Sequence, residues 1–190
     1  MDIILASASP RRRELLTMLG LRDFKIIPAK GDEILPAGVA PGDAAAAVSR
    51  KKAEEVVELC TADDVVIAAD TIVSLDSEIL GKPADKEDAR RMLSRLSGRT
   101  HTVYTGVTVI RGGETVSGYE RTDVRFRELE DREIRAYIDT GEPMDKAGAY
   151  GAQGIGSLFV EGIDGDFFNV MGLPLCRLAK MLEKLGVSLI

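Results

Sequence analysis

The stretch VVIAADTIVSL, residues 65–75, constrains the fold of this chain more than any other. Apolar and largely β-branched residues lie on both sides of Asp70, without the alternation that marks a strand with one exposed face. Such a run is typical of a strand in the middle of a sheet that is covered on both faces. We therefore predict a central strand over residues 64–70 with Asp70 at its end, followed by a further strand and turn over residues 71–80.

Asp70 is the unusual member of this run. A carboxylate in an apolar core costs several kcal/mol unless it is paired, hydrogen-bonded or bound to a metal. One interpretation is a cap for neighbouring backbone at the end of a strand, and the other is a place in a binding or catalytic site. Taken alone, the residue favours the cap.

The remaining patterns alternate helices with strands in the first half of the chain and predict a long hairpin in the second. Predicted strands and helices follow in the order strand 2–6, helix 10–20, strand 24–29, helix 43–60, a helix that ends at Gly98, hairpin arms 100–110 and 114–129, helix 130–141, a glycine-rich loop and strand 145–166, and helix 168–186 with a GLP step. We find no internal repeat and no linker. The chain is therefore predicted to form a single domain over residues 1–190, a mixed α/β fold with a twisted sheet, helices on both sides and a cleft.

The composition disfavours some function classes. The chain has 190 residues, of which 45% are hydrophobic and 29% charged, with a formal net charge of −6. This balance is typical of a soluble globular protein and argues against broad electrostatic binding to nucleic acid or to an anionic membrane. No apolar run approaches the roughly 20 residues that span a bilayer, and the N-terminus lacks the pattern of a secretory signal. We therefore expect a cytoplasmic protein that binds neither nucleic acid nor a membrane.

The cysteines and the histidine do not indicate a metal site. Cys60 and Cys176 each fall in an amphipathic helix pattern, and we expect buried, reduced thiols rather than a disulfide. His101 is the single histidine, and without a second histidine or a cysteine cluster a zinc site is disfavoured. We interpret His101 as structural, and the absence of a GxSxG motif disfavours a serine hydrolase.

The segment SASPRRREL, residues 7–15, combines features of an anion-binding site. Ser9 is a candidate N-cap, and Pro10 suits the first turn of the helix that follows. Helix N-termini attract anions, and arginines in that turn are disfavoured by the helix dipole unless an anion offsets them. A solvated basic turn is an equally good interpretation, and the pattern of a P-loop is absent.

Acidic and basic residues near predicted strand ends suggest a second part of the same site. Glu33, Asp70 and Lys82 each lie where ligands of α/β sheets bind, and two carboxylates there can share a divalent cation that bridges phosphate oxygens. Lys52, taken alone, is interpreted as a solvated helix residue. In DKAGAYGAQGIG the glycines allow close approach of a ligand, and Gln153 offers a donor and an acceptor to a nucleobase. A flexible surface loop is the alternative there.

Several of these segments, in this order, resemble one protein family. LASASPRRRELL, GDE, AADTIVSLDSEILGKP, LSGRTHTVYTGV and DKAGAYGAQGIGSLFVEGIDGDFFNVMGLPL are similar to the signature blocks of the Maf proteins, a family of nucleoside triphosphate pyrophosphatases. The resemblance runs from about Ile3 to Leu185. It implies a fold related to that of the inosine triphosphatases, with two lobes around a deep cleft, and a homodimer. It also implies a hydrolase that depends on Mg²⁺ or Mn²⁺ and releases pyrophosphate and a nucleoside monophosphate.

The resemblance also implies roles for individual residues. Asp70 matches the catalytic residue that is described as the base for water, and Glu33 and Asp70 match the metal ligands. The residues implied to contact phosphate are Ser7, Arg11, Arg12, Lys52 and Lys82. Arg11, Thr71 and Gln153 resemble the residues of members that act on dTTP and UTP, rather than of those that act on 7-methyl-GTP.

The sequence leaves other functions open. The preferred substrate among dTTP, UTP, CTP and modified pyrimidine triphosphates is undetermined. A nucleotide-binding regulator of septum formation, acting through a partner without turnover, is the main alternative. A nucleic-acid binder that uses the PRRR segment is disfavoured by the acidic balance of the chain.

Overall fold

The computed structural model describes residues 1–31, 35–36 and 38–189, and this part of the chain forms one mixed sheet with helices on both faces. The strands are β1 (Ile3–Leu5), β2 (Phe24–Ile26), β3 (Val65–Leu75), β4 (Glu78–Leu80), β5 (Thr100–Arg111), β6 (Glu114–Phe126) and β7 (Val160–Asp164). The helices are α1 (Pro10–Met18), α2 (Pro41–Val57), α3 (Lys86–Leu96), α4 (Asp131–Asp139), α5 (Phe167–Met171) and α6 (Leu175–Lys184). In the described residues we find no helix with the length and apolarity of a membrane span.

The sheet combines parallel and antiparallel strands. Its order is β2–β1–β3–β5–β6–β7, and β4 pairs with the C-terminal end of β3. β1 is parallel to β2 and β3, whereas the ladders from β3 to β7 are antiparallel. β5 and β6 form the predicted hairpin, and Gly112 and Gly113 at its turn have φ angles of 58° and 82°. Two-residue hairpin turns favour positive φ at these positions, which glycine adopts without strain.

β3 is the central strand, as predicted, and its residues are buried except for the half-buried Thr71. Its ladder with β5 runs without a break from Val66 to Ser74. The prediction that Asp70 ends the strand is therefore wrong, because Asp70 lies in the middle of this ladder opposite Gly106. The strand continues through the charge because an ion pair compensates it, as described below.

Gly106 determines how closely α2 packs on the sheet. A Cβ atom at this position would lie 2.1 Å from the carbonyl oxygen of Ala45 in α2. Glycine therefore allows the backbone of α2 to lie directly on β5. The same helix brings Lys52 to Asp70.

One edge of β3 is open in its middle. β1 pairs with residues 65–67 of this edge and β4 with residues 73–75. Among the described residues no strand pairs with the edge between these stretches, so residues 68–72 border a gap in the sheet. In open α/β sheets, ligands bind at such interruptions of the strand order.

Two hydrophobic clusters lie on one face of the sheet, on either side of this gap. β3 contributes Ile67 and Ala69 to the first cluster, which packs against α1 and α6. It contributes Val73 and Leu75 to the second, which packs against α3 and α4. Thr71 is the polar residue of β3 between them. These clusters form the two lobes around the cleft, and β3 and β5 run through both.

Two further details differ from the sequence-based predictions. The segment 168–186 contains two helices rather than one, because Gly172 with a φ of 109° and Pro174 separate α5 from α6. Cys176 is exposed, so the prediction of a buried thiol is wrong there: it follows the buried Leu175 and falls on the outer side of the amphipathic α6. Cys60 is half-buried, and both thiols are free, as predicted.

Candidate active site

A cleft of about 560 Å³ opens at the gap in the sheet. Its walls come from the β1–α1 loop, the middle of β3, the turn after β4, residues 145–153 and residues 170–172. It brings together all the predicted site residues that the structure describes, namely Ser7, Arg11, Arg12, Lys52, Asp70, Thr71, Lys82 and Gln153. Glu33, the other predicted ligand, lies outside the described residues.

The described lining of the cleft carries more positive than negative charge. The cations are Arg11, Arg12, Lys52, Lys82 and Lys146, and the anions are Asp70 and Asp145. This excess stands out in a chain whose net charge is −6. A cleft lined mainly by one sign of charge concentrates ligands of the opposite sign, so this lining suits a polyanion.

Asp70 forms an ion pair with Lys52, whose Nζ donates to Oδ1 at 2.7 Å. The two side chains are 12% and 13% exposed, so neither is solvated in the ordinary sense. The interpretation of Asp70 as a strand-end cap and that of Lys52 as a solvated helix residue are therefore both wrong. Within the described residues the hydrogen bonding of this carboxylate goes through Oδ1 to Lys52, which leaves Oδ2 for a water or a cation.

Arg12 is held by three elements at once. Its Nε donates to the carbonyl oxygen of Gly172 at 2.8 Å, one terminal nitrogen to Oγ of Ser7 at 3.0 Å, and the other to Oγ1 of Thr71 at 3.1 Å. Ser9 occupies the N-cap position of α1 as predicted, but its side chain makes no capping bond. Its backbone N–H donates instead to Oγ of Ser7 at 3.3 Å. The guanidinium of Arg12 is thus fixed in orientation beside the cleft.

Thr71 continues this network into the core. Its Oγ1 lies 3.0 Å from Oγ1 of Thr105, which in turn donates to the carbonyl oxygen of Asn169 at 2.9 Å. An arginine can only donate and a carbonyl can only accept, so the direction of each bond is determined. Thr71 accepts from Arg12 and donates to Thr105, and Thr105 donates to Asn169. Sequence reasoning missed Thr105, because its position opposite Thr71 depends on the register between β3 and β5, which the sequence does not reveal.

Two contacts join α1 to residues 145–153 beside the cleft. A terminal nitrogen of Arg11 lies 3.9 Å from Oδ2 of Asp145. Nε2 of Gln153 lies 3.3 and 3.1 Å from the two carboxylate oxygens of Glu14. Lys146, the next residue after Asp145, bonds to it at 2.6 Å and is nearly buried. Asp145 and Lys146 are further cleft residues that sequence reasoning missed, because a DK pair in a polar loop carries no periodic signal.

The predicted metal site is only partly described. In the described ranges no group of three or more His, Cys, Asp or Glu side chains is placed to hold a metal ion. Mg²⁺ needs only one or two carboxylates when phosphate oxygens complete its coordination. Oδ2 of Asp70 has the chemistry of such a ligand, so this half of the predicted pair fits.

His101 lies in the core rather than in the lining of the cleft. Its Nε2 is 2.7 Å from the hydroxyl of Tyr150, and its ring packs edge-on against Phe126. Burial lowers the pKa of His101 from 6.5 to about 4, against a smaller opposing effect of Asp123. The imidazole is therefore neutral at physiological pH, which agrees with a structural role.

The family of the chain follows from comparison with known sequences. The family model described as Maf-like protein matches residues 2–185. The chain belongs to the Maf family. Two of its relatives are named dTTP/UTP pyrophosphatase: a protein of Agathobacter rectalis is 50% identical over 98% of both chains. The other, from Bacillus anthracis, is 48% identical over 98% of this chain and 96% of its own.

Some solved structures show weaker likenesses to the chain. The Ham1 protein of Staphylococcus aureus has a TM-score of 0.46 and 14% identity, covering 66% of this chain and 72% of its own. A nucleoside-triphosphatase (dITP/XTP pyrophosphatase) of Mycobacterium abscessus has a TM-score of 0.41 and 16% identity, covering 68% and 76%. Likenesses of this size assign neither fold nor function, and the mixed α/β architecture stands on the sheet and helices described above.

Proposed function

We propose that this Maf family member is a pyrophosphatase that hydrolyses dTTP and UTP to the nucleoside monophosphate and pyrophosphate. The observation that carries the proposal is the cationic cleft, which holds the Asp70–Lys52 ion pair and the fixed Arg12 at one gap in the sheet. The names of relatives that match nearly the whole chain support the choice of substrates.

The triphosphate would lie along the start of α1, where Arg11, Lys52 and Lys82 offset its charge and Arg12 is already oriented. Asp70 then accepts a proton through Oδ2 from a water in the cleft, and the water oxygen attacks the α-phosphorus. A bond forms between that oxygen and phosphorus, and the bond from the α-phosphorus to the bridging oxygen breaks. Pyrophosphate leaves. Fixed positive groups around the phosphates supply most of the acceleration in such reactions.

A divalent cation, Mg²⁺ or Mn²⁺, is the cofactor we propose, with Asp70 and Glu33 as its protein ligands. Such a cation, when bound, neutralises charge on the phosphate oxygens. Lys52 donates to Oδ1 of Asp70, and the remaining lone pairs of this carboxylate would be available to hold the cation or to accept a proton from water.

A homodimer and a cytoplasmic location complete the proposal, and both derive from the family resemblance and the composition. Size-exclusion chromatography with light scattering tests the dimer. A mass of one chain at micromolar concentration contradicts it.

The activity is tested by incubating the purified protein with dTTP or UTP and Mg²⁺ or Mn²⁺, and quantifying pyrophosphate and monophosphate. We expect both products in equal amounts, faster than from 7-methyl-GTP, and loss of release when EDTA is added. Tight binding of both nucleotides without any pyrophosphate would contradict the proposal. It would favour the regulator that binds nucleotides without turnover.

A further inference from the structure

The carboxamide of Gln153 is held from outside the cleft. Gln153 lines the cleft, and its Nε2 contacts both carboxylate oxygens of Glu14 at 3.3 and 3.1 Å. Glu14 is an exposed residue of α1. The contact therefore ties one end of the amide to a residue that does not line the cleft.

This contact determines which way the amide points. A carboxylate oxygen only accepts hydrogen bonds, and a carboxamide has a donating NH₂ end and an accepting carbonyl end. A half-turn of the Gln153 amide would place its oxygen against the oxygens of Glu14. The NH₂ end must therefore face Glu14, and the carbonyl oxygen Oε1 points away from it.

The segment that carries Gln153 is fixed at both ends. The backbone N–H of Gly151 donates to the hydroxyl of Tyr137 at 3.1 Å. After Gln153, the N–H groups of Ile155 and Gly156 donate to the carboxylate of Glu142 at 3.0 and 3.1 Å. With the backbone held in this way, the freedom that remains at Gln153 is rotation of its side chain, which is the motion that Glu14 restrains.

The orientation of an amide decides which pyrimidine it matches. Uracil and thymine present the N3–H donor next to the O4 acceptor, and cytosine presents the N3 acceptor next to the N4 amino donor. A carboxamide that rotates freely matches either base, because a half-turn exchanges its donor and acceptor. An amide fixed with its oxygen opposite N3 accepts from N3–H of uracil or thymine and faces the lone pair of N3 in cytosine.

We propose that Glu14 is a positioning residue that orients Gln153 so that its Oε1 lies opposite N3 of a bound base, and thereby selects uracil and thymine over cytosine. The inference rests on the proposed function, since it requires a pyrimidine triphosphate in the cleft. Glu14 acts through Gln153 and touches no reacting atom. A base that packs against Gln153 excludes water from their contact. Two acceptors that face each other there cost free energy, because neither has a donor.

The test measures kcat/KM for UTP and CTP with the wild type, Glu14→Gln and Glu14→Lys. The two substrates differ only at the base edge, so a general effect of charge on triphosphate binding cancels in their ratio. Glu14→Gln allows both orientations of the Gln153 amide and is expected to reduce the UTP preference about tenfold, the effect of roughly one hydrogen bond. Glu14→Lys donates to Oε1, turns the NH₂ end toward the base, and is expected to reverse the preference in favour of CTP. Glu183→Gln, which removes an exposed carboxylate from α6, is the control and should leave the ratio unchanged.

The outcomes separate this inference from the proposed function. If the wild type hydrolyses UTP but the ratio is the same in both Glu14 variants, the inference is wrong and the proposed function stands. A wild type that hydrolyses UTP and CTP equally well overturns the inference in the same way. If the wild type releases pyrophosphate from neither dTTP nor UTP, the proposed function fails and the inference fails with it.

Discussion

Asp70 and Thr71 are neighbours in β3, and successive side chains of a strand point to opposite faces of the sheet. On one face Asp70 meets Lys52 of α2 in a nearly buried ion pair. On the other, Thr71 joins Arg12 and Thr105 in a chain of hydrogen bonds that ends at the backbone of α5. Both side chains line the same cleft, because both residues belong to the stretch of the β3 edge that pairs with neither β1 nor β4.

The two faces of β3 therefore have different roles in one site. The Asp70 face has a charged oxygen available to a water or a cation, so the proposed mechanism places the proton transfer on this face. On the Thr71 face every hydroxyl has a determined direction, so that face positions Arg12 rather than reacting. A substitution on one face therefore leaves the contacts of the other face in place.

Of the substitutions proposed, replacement of Lys52 on the Asp70 face is expected to have the largest effect on stability. Lys52→Met leaves the carboxylate of Asp70 nearly buried without its lysine. Breaking a buried ion pair from one side is strongly destabilising, and we expect a loss of about 3 kcal/mol in the free energy of unfolding. Urea denaturation measures it. Lys51→Met, at the exposed neighbouring position of α2, is the control, and an equal loss in both variants would contradict the importance of the pair.

Acid is expected to destabilise the Thr71 face through His101, which lies on the same face of β5 as Thr105. Burial lowers the pKa of His101 from 6.5 to about 4, so between these values the unfolded chain binds a proton that the folded chain does not. The stability from this group is present above pH 6.5 and is lost as the pH falls toward 4, by about 3 kcal/mol in total.

This loss is isolated by comparing the wild type with His101→Gln in urea at pH 7 and pH 4.5. At pH 7 the variant is expected to be less stable than the wild type, because Tyr150 loses its partner. Its free energy of unfolding should fall less than that of the wild type between pH 7 and pH 4.5. Parallel declines of the two proteins would show that His101 does not stay neutral in the folded state.

Removing one hydroxyl of the Thr71 face is expected to have a smaller effect. In Thr105→Val the hydroxyl of Thr71 loses its acceptor and the carbonyl of Asn169 loses its donor. We expect about 2 kcal/mol of destabilisation and a fall of about tenfold in kcat/KM for UTP, because Arg12 is less firmly held. Thr105→Ser keeps the hydroxyl and should restore most of both. If Thr105→Val and Thr105→Ser lose the same stability and the same kcat/KM for UTP, the hydrogen bonds assigned to the Thr105 hydroxyl are irrelevant to function.

Patterns in the sequence predicted the elements better than they predicted contacts between them. The apolar run of β3 and the two alternating arms around Gly112 and Gly113 were sufficient for the central strand and the hairpin. Asp70 stood out because a charge in an apolar run needs a compensating partner, but this pattern alone favoured a strand-end cap, and the resemblance to the Maf proteins implied its place in the site. Periodicity says which face of an element is buried, but not which residue of another element lies opposite.

The partners in the site depend on that missing information. Arg12 and Gly172 are 160 residues apart, and their contact requires α1 and α5 to meet beside β3. Lys52 reaches Asp70 because Gly106 allows α2 to lie on the sheet, which no local pattern around Lys52 indicates. The contact of Glu14 with Gln153 joins two polar surface segments, and each of them alone is typical of a solvated position.

The most direct test of the proposed activity is product analysis of UTP hydrolysis by the wild type and by Asp70→Asn. Asparagine keeps the size of the side chain and still accepts from Lys52, but it is not a base, so the folded state should persist. We predict equal amounts of UMP and pyrophosphate from the wild type, and release slower by about a hundredfold or more from the folded variant. UDP and phosphate as products, or pyrophosphate release at the wild-type rate by a folded Asp70→Asn protein, would contradict the account.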